Sequence, residues 1–227
     1  MVRPHSFARI LAFLLFLTLS ASLQADITPS GDVDPTDPLW WIGGGDSSTN
    51  AYIGKTAAGS VTVNLGSDLR SSYGYIGYDA GAIGVVTVDG SGSTWTNSGD
   101  SDYSLLYVGY EGQGTLNITN GGAVSNISDD YSDTLIGCGT GSIGEVTVDG
   151  NGSTLACWGG YGRIYVGAFG GTGELNITDG GSVSNITGLI GRWPGSTGIV
   201  TVDGSGSTWT NRCCTSADTY LAPVVAC

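Results

Sequence analysis

Between Tyr52 and Asn211 the chain alternates apolar and polar residues in short runs cut by glycine. In Val86-Thr87-Val88 and in Leu116-Asn117-Ile118 every second side chain is apolar, which is the pattern of a half-buried strand. A shorter run precedes each such strand: an aromatic residue or Leu, then Ile or Val, then Gly, as in Tyr75-Ile76-Gly77. A third run follows a glycine-rich corner, as in Ser93-Thr94-Trp95-Thr96. Asp-Gly, Asn-Gly-Gly and Asp-Gly-Gly are turn text, because glycine reaches backbone angles that other residues avoid. No stretch from Asp26 to Asn211 carries a helical stripe.

The three-strand unit recurs. VTVDGSGSTWTN occupies residues 86–97 and again 200–211 without a difference, and a looser copy, VTVDGNGSTLAC, occupies 146–157. Central strands begin at Val61, Val86, Leu116, Val146, Leu175 and Val200, in steps of 25, 30, 30, 29 and 25 residues. Such a period marks a solenoid or array. Propeller blades need four antiparallel strands and ~40 or more residues, so the pattern predicts an all-β chain: a right-handed parallel β-helix with three short strands per coil and about six coils.

Stacking the copies predicts three inward columns: Ile53, Ile76, Val108, Ile136, Val166 and Ile190; Val63, Val88, Ile118, Val148, Ile177 and Val202; Leu69, Trp95, Val124, Leu155, Val183 and Trp209. Every member is apolar. One coil alone buries too little to offset the ordering of its backbone, so the copies must stack.

Composition narrows the class. There are 40 glycines in 227 residues but no G-X-Y period, which excludes collagen. Regularly alternating apolar residues make up 40% of the chain, which speaks against disorder. Residues 1–25 are a separate object: a basic start (Arg3, His5, Arg9), the apolar run ILAFLLFLTLSA, and a cleavage-like SLQAD. This reads as a signal peptide. Residues 26–50, with Pro, Asp and Trp40-Trp41, read as an N-terminal linker or cap whose tryptophans cover the open end; 51–211 is the repeat domain. Residues 212–227 break the pattern and read as an irregular tail: a cap, a truncation or a frameshifted stretch.

Removing residues 1–25 takes away His5, the only histidine, and leaves five basic against 20 acidic residues, a net charge of −15. Such a surface repels nucleic acid and anionic lipid, and no other run is long enough to cross a bilayer. Without histidine, serine-triad and cysteine–histidine chemistry have no base. The cysteines (Cys138, Cys157, Cys213, Cys214, Cys227) are odd in number and irregular in spacing, so they predict no disulfide framework and no zinc site.

Asp89, Asp149, Asp179 and Asp203 recur in the repeat text at glycine corners and read as turn residues; a catalytic pair is written once. DGSGS lacks the further carboxylates and closing Glu of a calcium loop. No catalytic residue, cofactor or metal ligand is therefore assigned. The Asn-Ile-Thr and Asn-Ile-Ser triplets at Asn117, Asn126, Asn176 and Asn185 match the glycosylation acceptor, but they arise as by-products of repeat text.

Tyr52, Tyr75, Tyr107 and Tyr165 precede the inward Ile or Val and so point outward, with Leu135 and Leu189 breaking the row. Spaced aromatic faces suit a long glycan. The plainer reading is a ladder of cross-strand aromatic pairs.

The phrasing G-x-VTVDGSGSTWTN…YVG…G-x-LNIT-(N/D)-GG-x-VSN, over residues 52–211, resembles the repeat shared by autotransporter passengers and PEP-CTERM exported proteins. The resemblance implies an exported bacterial β-solenoid, outer membrane-associated or extracellular, and carries no catalytic or binding residues. The expected function is a non-catalytic surface element, adhesive or stalk-like, meeting surface polysaccharide or other cells. The alternatives are a glycan-binding module and a polysaccharide lyase or hydrolase, the last requiring carboxylates that converge on one face.

Overall fold

The structure, a computed structural model, describes residues 26–36, 49–99 and 102–212. The leader, Trp40-Trp41 and the tail with Cys213, Cys214 and Cys227 lie outside the described residues. Among the described residues all regular structure is strand. Six strand triplets form six coils: coil 1 (51–71), coil 2 (74–98), coil 3 (103–127), coil 4 (131–158), coil 5 (161–185) and coil 6 (187–211). Each coil gives one strand to each of three sheets, and like strands of successive coils pair in parallel. The molecule is a β-solenoid, as the repeat predicts.

Two strands precede coil 1. β1 (Asp26–Gly31) lies antiparallel on the central strand of coil 1, and β2 (Val33–Asp34) lies antiparallel on its first strand. Both bury one apolar side chain in the core, Ile27 and Val33. Pro29 falls within β1, at the edge of its sheet, where a missing N–H breaks no ladder and blunts further pairing. Asp32 fastens this cap. Its carboxylate accepts the Thr56 and Ala57 N–H groups at 2.6 and 2.8 Å, which hold it below the usual carboxylate range.

The inward columns form as predicted through five coils, all fully buried from Ile53 to Val166, Val63 to Ile177 and Leu69 to Val183. In coil 6 they surface: Ile190 is 42% and Val202 46% exposed, and Trp209 is only partly buried.

Size is balanced across the lumen within each coil. The buried Trp95 faces Gly74, where an added Cβ would sit 2.7 Å from the indole Cζ2. Trp209 faces Gly188 in the same way, at 2.6 Å. Coil 3, whose third strand carries the smaller Val124, places Leu106 at the position of Gly74. At the next corner Gly77 has φ 71°, and a Cβ there would meet the Gln113 carbonyl oxygen at 2.0 Å, so only glycine fits.

The coils are of two classes. Central strands read VTVD in coils 2, 4 and 6 and LNIT in coils 3 and 5. Their register lines up Asp89, Thr119, Asp149 and Thr178. Thr119 Oγ1 and Asn120 Nδ2 donate to Asp89 at 2.6 and 2.7 Å, and Thr178 Oγ1 donates to Asp149 at 2.5 Å. Neighbouring strands lie ~4.8 Å apart. Two carboxylates stacked at that spacing repel by about 1 kcal/mol in water and about 3.5 kcal/mol at an effective dielectric of 20. The intervening threonine replaces that repulsion with a hydrogen bond.

Asp179 does not belong to this column, against the sequence expectation. It follows Thr178 at φ 49°, as Asn120 follows Thr119 at φ 53°. The LNIT corner is one residue shorter than the VTVD corner, since Asp89 pairs Thr119 while Thr94 pairs Ala123.

A polar column lies inside the third sheet: Ser71, Asn97, Asn126 and Cys157 in register, then Asn185 and Asn211. Asn97 Nδ2 donates to the Leu105 carbonyl at 2.7 Å, Asn126 Nδ2 to the Asp133 carbonyl at 2.8 Å, and Asn185 Nδ2 to Asn211 Oδ1 at 2.7 Å. Both tryptophans join it: Trp95 Nε1 donates to Ser71 Oγ and Trp209 Nε1 to Asn185 Oδ1. Two glycosylation triplets therefore start inside the solenoid, because Asn126 and Asn185 are fully buried.

Two outcomes follow. Gly74→Leu should cost about 1–3 kcal/mol by overpacking against Trp95, and Gly74→Leu with Trp95→Val, which copies coil 3, should recover most of that loss in urea denaturation. The hydrogen bonds from Thr119 and then Asn120 hold Asp89 below its ordinary 3.8. Its contribution to stability is thus complete above that ordinary value and is lost as pH falls through the lower folded value. Thr119→Val should move the Asp89 carboxyl back toward 3.8 in a ¹³C NMR titration and remove that acid-side contribution.

Candidate functional site

The outward face of the first-strand sheet collects most of the aromatic side chains. Period two fixes this arrangement: Ile53, Ile76 and Val108 point in, so Tyr52, Tyr75 and Tyr107 point out. The register runs Tyr52, Tyr75, Tyr107, Leu135, Tyr165, Leu189. Tyr52 and Tyr75 stack at 4.9 Å with planes 6° apart, and Tyr75 and Tyr107 stack at 5.2 Å and 9°. Each ring of this stack lies face to face with its neighbour, and both faces of Tyr75 are taken. Such offset stacks stabilise the strands that carry them.

Two further columns flank it. Tyr78 and Tyr110 stack at 5.1 Å and set their edges against the first column, Tyr107 and Tyr110 meeting at 4.8 Å. Tyr103, Tyr131 and Tyr161 form a third stack, at 5.2 and 4.9 Å. The second column was readable in Tyr-Ile-Gly-Tyr and Tyr-Val-Gly-Tyr. The third lies in the variable text between coils and has no repeat signal. Burial, and then neighbouring tyrosines, push Tyr75 up to about 12. Burial raises Tyr107 as well. Both phenols are neutral across the physiological range, so the stack carries no charge.

Coils 4 to 6 depart from this pattern. Leu135 and Cys138 take the two tyrosine positions in coil 4. Tyr165, in coil 5, is 5% exposed and is covered by Trp193 at 5.3 Å. Of the four tyrosines singled out from the sequence, three form one stack and the fourth is separated from them. Phe169 stacks on Trp193 at 4.0 Å and is 51% exposed, with Arg192 5.2 Å from the same indole. Arg163 grips Asp133 through two bonds of 2.7 Å and lies over Tyr131 and Tyr165 at 5.5 and 5.7 Å. Burial raises the Asp133 carboxyl above its usual range, against the pull of Arg163.

Cys138 and Cys157 are buried and free. Burial pushes their thiols up to about 11 and about 12, so neither is an activated nucleophile. Asp89 and Asp149 are held apart by Thr119 on the side of the solenoid. Among the described residues no group of three or more His, Cys, Asp or Glu side chains is placed to hold a metal ion.

No family model matches the chain, and no solved structure matches it. Over 174 residues, 76% of its length, the chain is 34% identical to the uncharacterized lipoprotein YdeK of Escherichia coli (strain K12). It spans 12% of that protein's length.

Proposed function

We propose that this chain is a non-catalytic, exported surface scaffold: a β-solenoid spacer, stalk-like, that serves adhesion by setting distance. One observation carries the reading. In the described coils the in-register columns, including the outward tyrosines whose ring faces lie on one another, are spent on holding coil to coil. Export is supported by the signal-peptide text of residues 1–25 and by the lipoprotein name of the similar protein. The repeat phrasing shared with autotransporter passengers and PEP-CTERM proteins supports the cell surface. A spacer needs length and stiffness, and both come from repetition.

Excision tests the spacer directly. Deleting residues 127–185 joins Asn126 to Ile186 and preserves the alternation of coil classes. The shortened chain should stay folded by circular dichroism, lose about 10 Å of length in small-angle scattering, two coils at ~4.8 Å each, and bring adhering cells correspondingly closer when displayed on a surface. Unfolding on excision, or a polysaccharide-cleaving activity abolished by Asp149→Asn, overturns the reading.

A glycan-binding face is the second reading, favoured by the exposed Phe169 beside Trp193 and by the tyrosine row Tyr52, Tyr75, Tyr107 and Tyr165. Tyr107→Ala should lower stability by about 1–2 kcal/mol, through lost stacking and burial, and leave the glycan-array profile unchanged. Loss of a glycan signal at unchanged stability would favour the second reading instead.

A further inference from the structure

All three sheets end on coil 6. Its rim is apolar and open among the described residues, with Ile199 50% and Val202 46% exposed and Asp203 exposed beside them. The sequence says what such a rim fits. Residues 200–211 repeat residues 86–97 letter for letter. In coil 2 that text carries an LNIT coil: Val86 pairs Leu116, Val88 pairs Ile118, Asp89 pairs Thr119, Trp95 pairs Val124 and Asn97 pairs Asn126. The Asp89 carboxylate receives the Thr119 hydroxyl and the Asn120 amide from that coil. The coil 6 rim presents the same strand edges and the same carboxylate, Asp203, which accepts the Gly204 N–H.

We propose that the rim of coil 6 is a docking surface for one more coil of the LNIT(N/D)GG class, donated in trans by another polypeptide of the same repeat text. The rim selects the class of its partner. An LNIT coil brings threonine and asparagine donors to Asp203, whereas a VTVDG coil lays a second carboxylate on it. The free strand edges supply the ladder bonds in either case, as in strand addition to an exposed sheet edge. Charge complementarity at one column therefore decides between two otherwise similar coils. The inference rests on coil stacking, not on export or adhesion, so its failure leaves the spacer reading standing.

The test uses the full chain and two synthetic peptides, copies of residues 98–127 (LNIT class) and 128–158 (VTVDG class). Binding is followed by hydrogen exchange of the Ile199–Val202 amides and by Trp209 fluorescence. The same two texts, inserted between Asn211 and Arg212, supply the coil at high effective concentration. In either format the LNIT text should be preferred about tenfold, read as affinity or as the folded-to-unfolded ratio, and Asp203→Asn should erase the preference. Equal effects of the two texts, no effect of either in both formats, or a preference that survives Asp203→Asn overturns the proposal.

Discussion

Every side chain in this solenoid must tolerate a near-copy of its own position one strand away, ~4.8 Å above and below. That constraint sorts residue types. Aliphatic side chains meet it at no cost, and they fill the columns running from Ile53, Val63 and Leu69. Asparagine meets it because its amide donates and accepts at once, as Asn185 and Asn211 do inside the third sheet. Tyrosine meets it by stacking rings, as Tyr52, Tyr75 and Tyr107 do outside. Aspartate cannot, since like charges at that spacing repel. The two coil classes solve the problem by placing Thr119 between Asp89 and Asp149. Alternation of text along the chain is thus an electrostatic device as well as a trace of duplication.

The same constraint acts across the lumen. A tryptophan large enough to fill the coil from one side requires a hole on the other, and Gly74 and Gly188 are those holes. The Trp and its Gly travel together in coils 2 and 6, while Leu106 faces the smaller Val124 in coil 3. Volume is conserved coil by coil, as close packing demands. The glycine in Gly-Tyr-Ile is therefore as much a core residue as the tryptophan.

Much of this was legible because repetition writes each signal several times. Period two and the spacing of the Val and Leu starts gave the strands, the parallel sheets and the inward columns. The misreadings have physical causes. Asp179 was grouped with the column aspartates by its letter, but the LNIT corner is one residue shorter, so Thr178 occupies the column. The buried asparagines were read as glycosylation by-products, although the alternation that turns Trp95 inward turns Asn97 inward too; their polarity disguised them. The surfacing of Ile190 and Val202 could not be read from their own coil, because burial in a stack is conferred by the neighbour. Tyr103, Tyr131 and Tyr161 sit where the text between coils varies, so no copy announced them.

Repetition also constrains where function can reside. Catalysis or selective binding needs an environment that is unique, while like-over-like stacking makes environments equivalent. A site on such a scaffold must arise where a column breaks or where the stack ends. On the outer face the breaks cluster in coils 4 to 6: Leu135 and Cys138 in place of tyrosines, the Asp133–Arg163 pair, and Phe169 against Trp193. At the end of the stack, the strand edges of coil 6 carry the one carboxylate of its column with no threonine from a following coil among the described residues. Coils 1 to 3 offer their partners a uniform wall of stacked rings. What distinguishes this solenoid from any other stretch of the same repeat lies in the later coils.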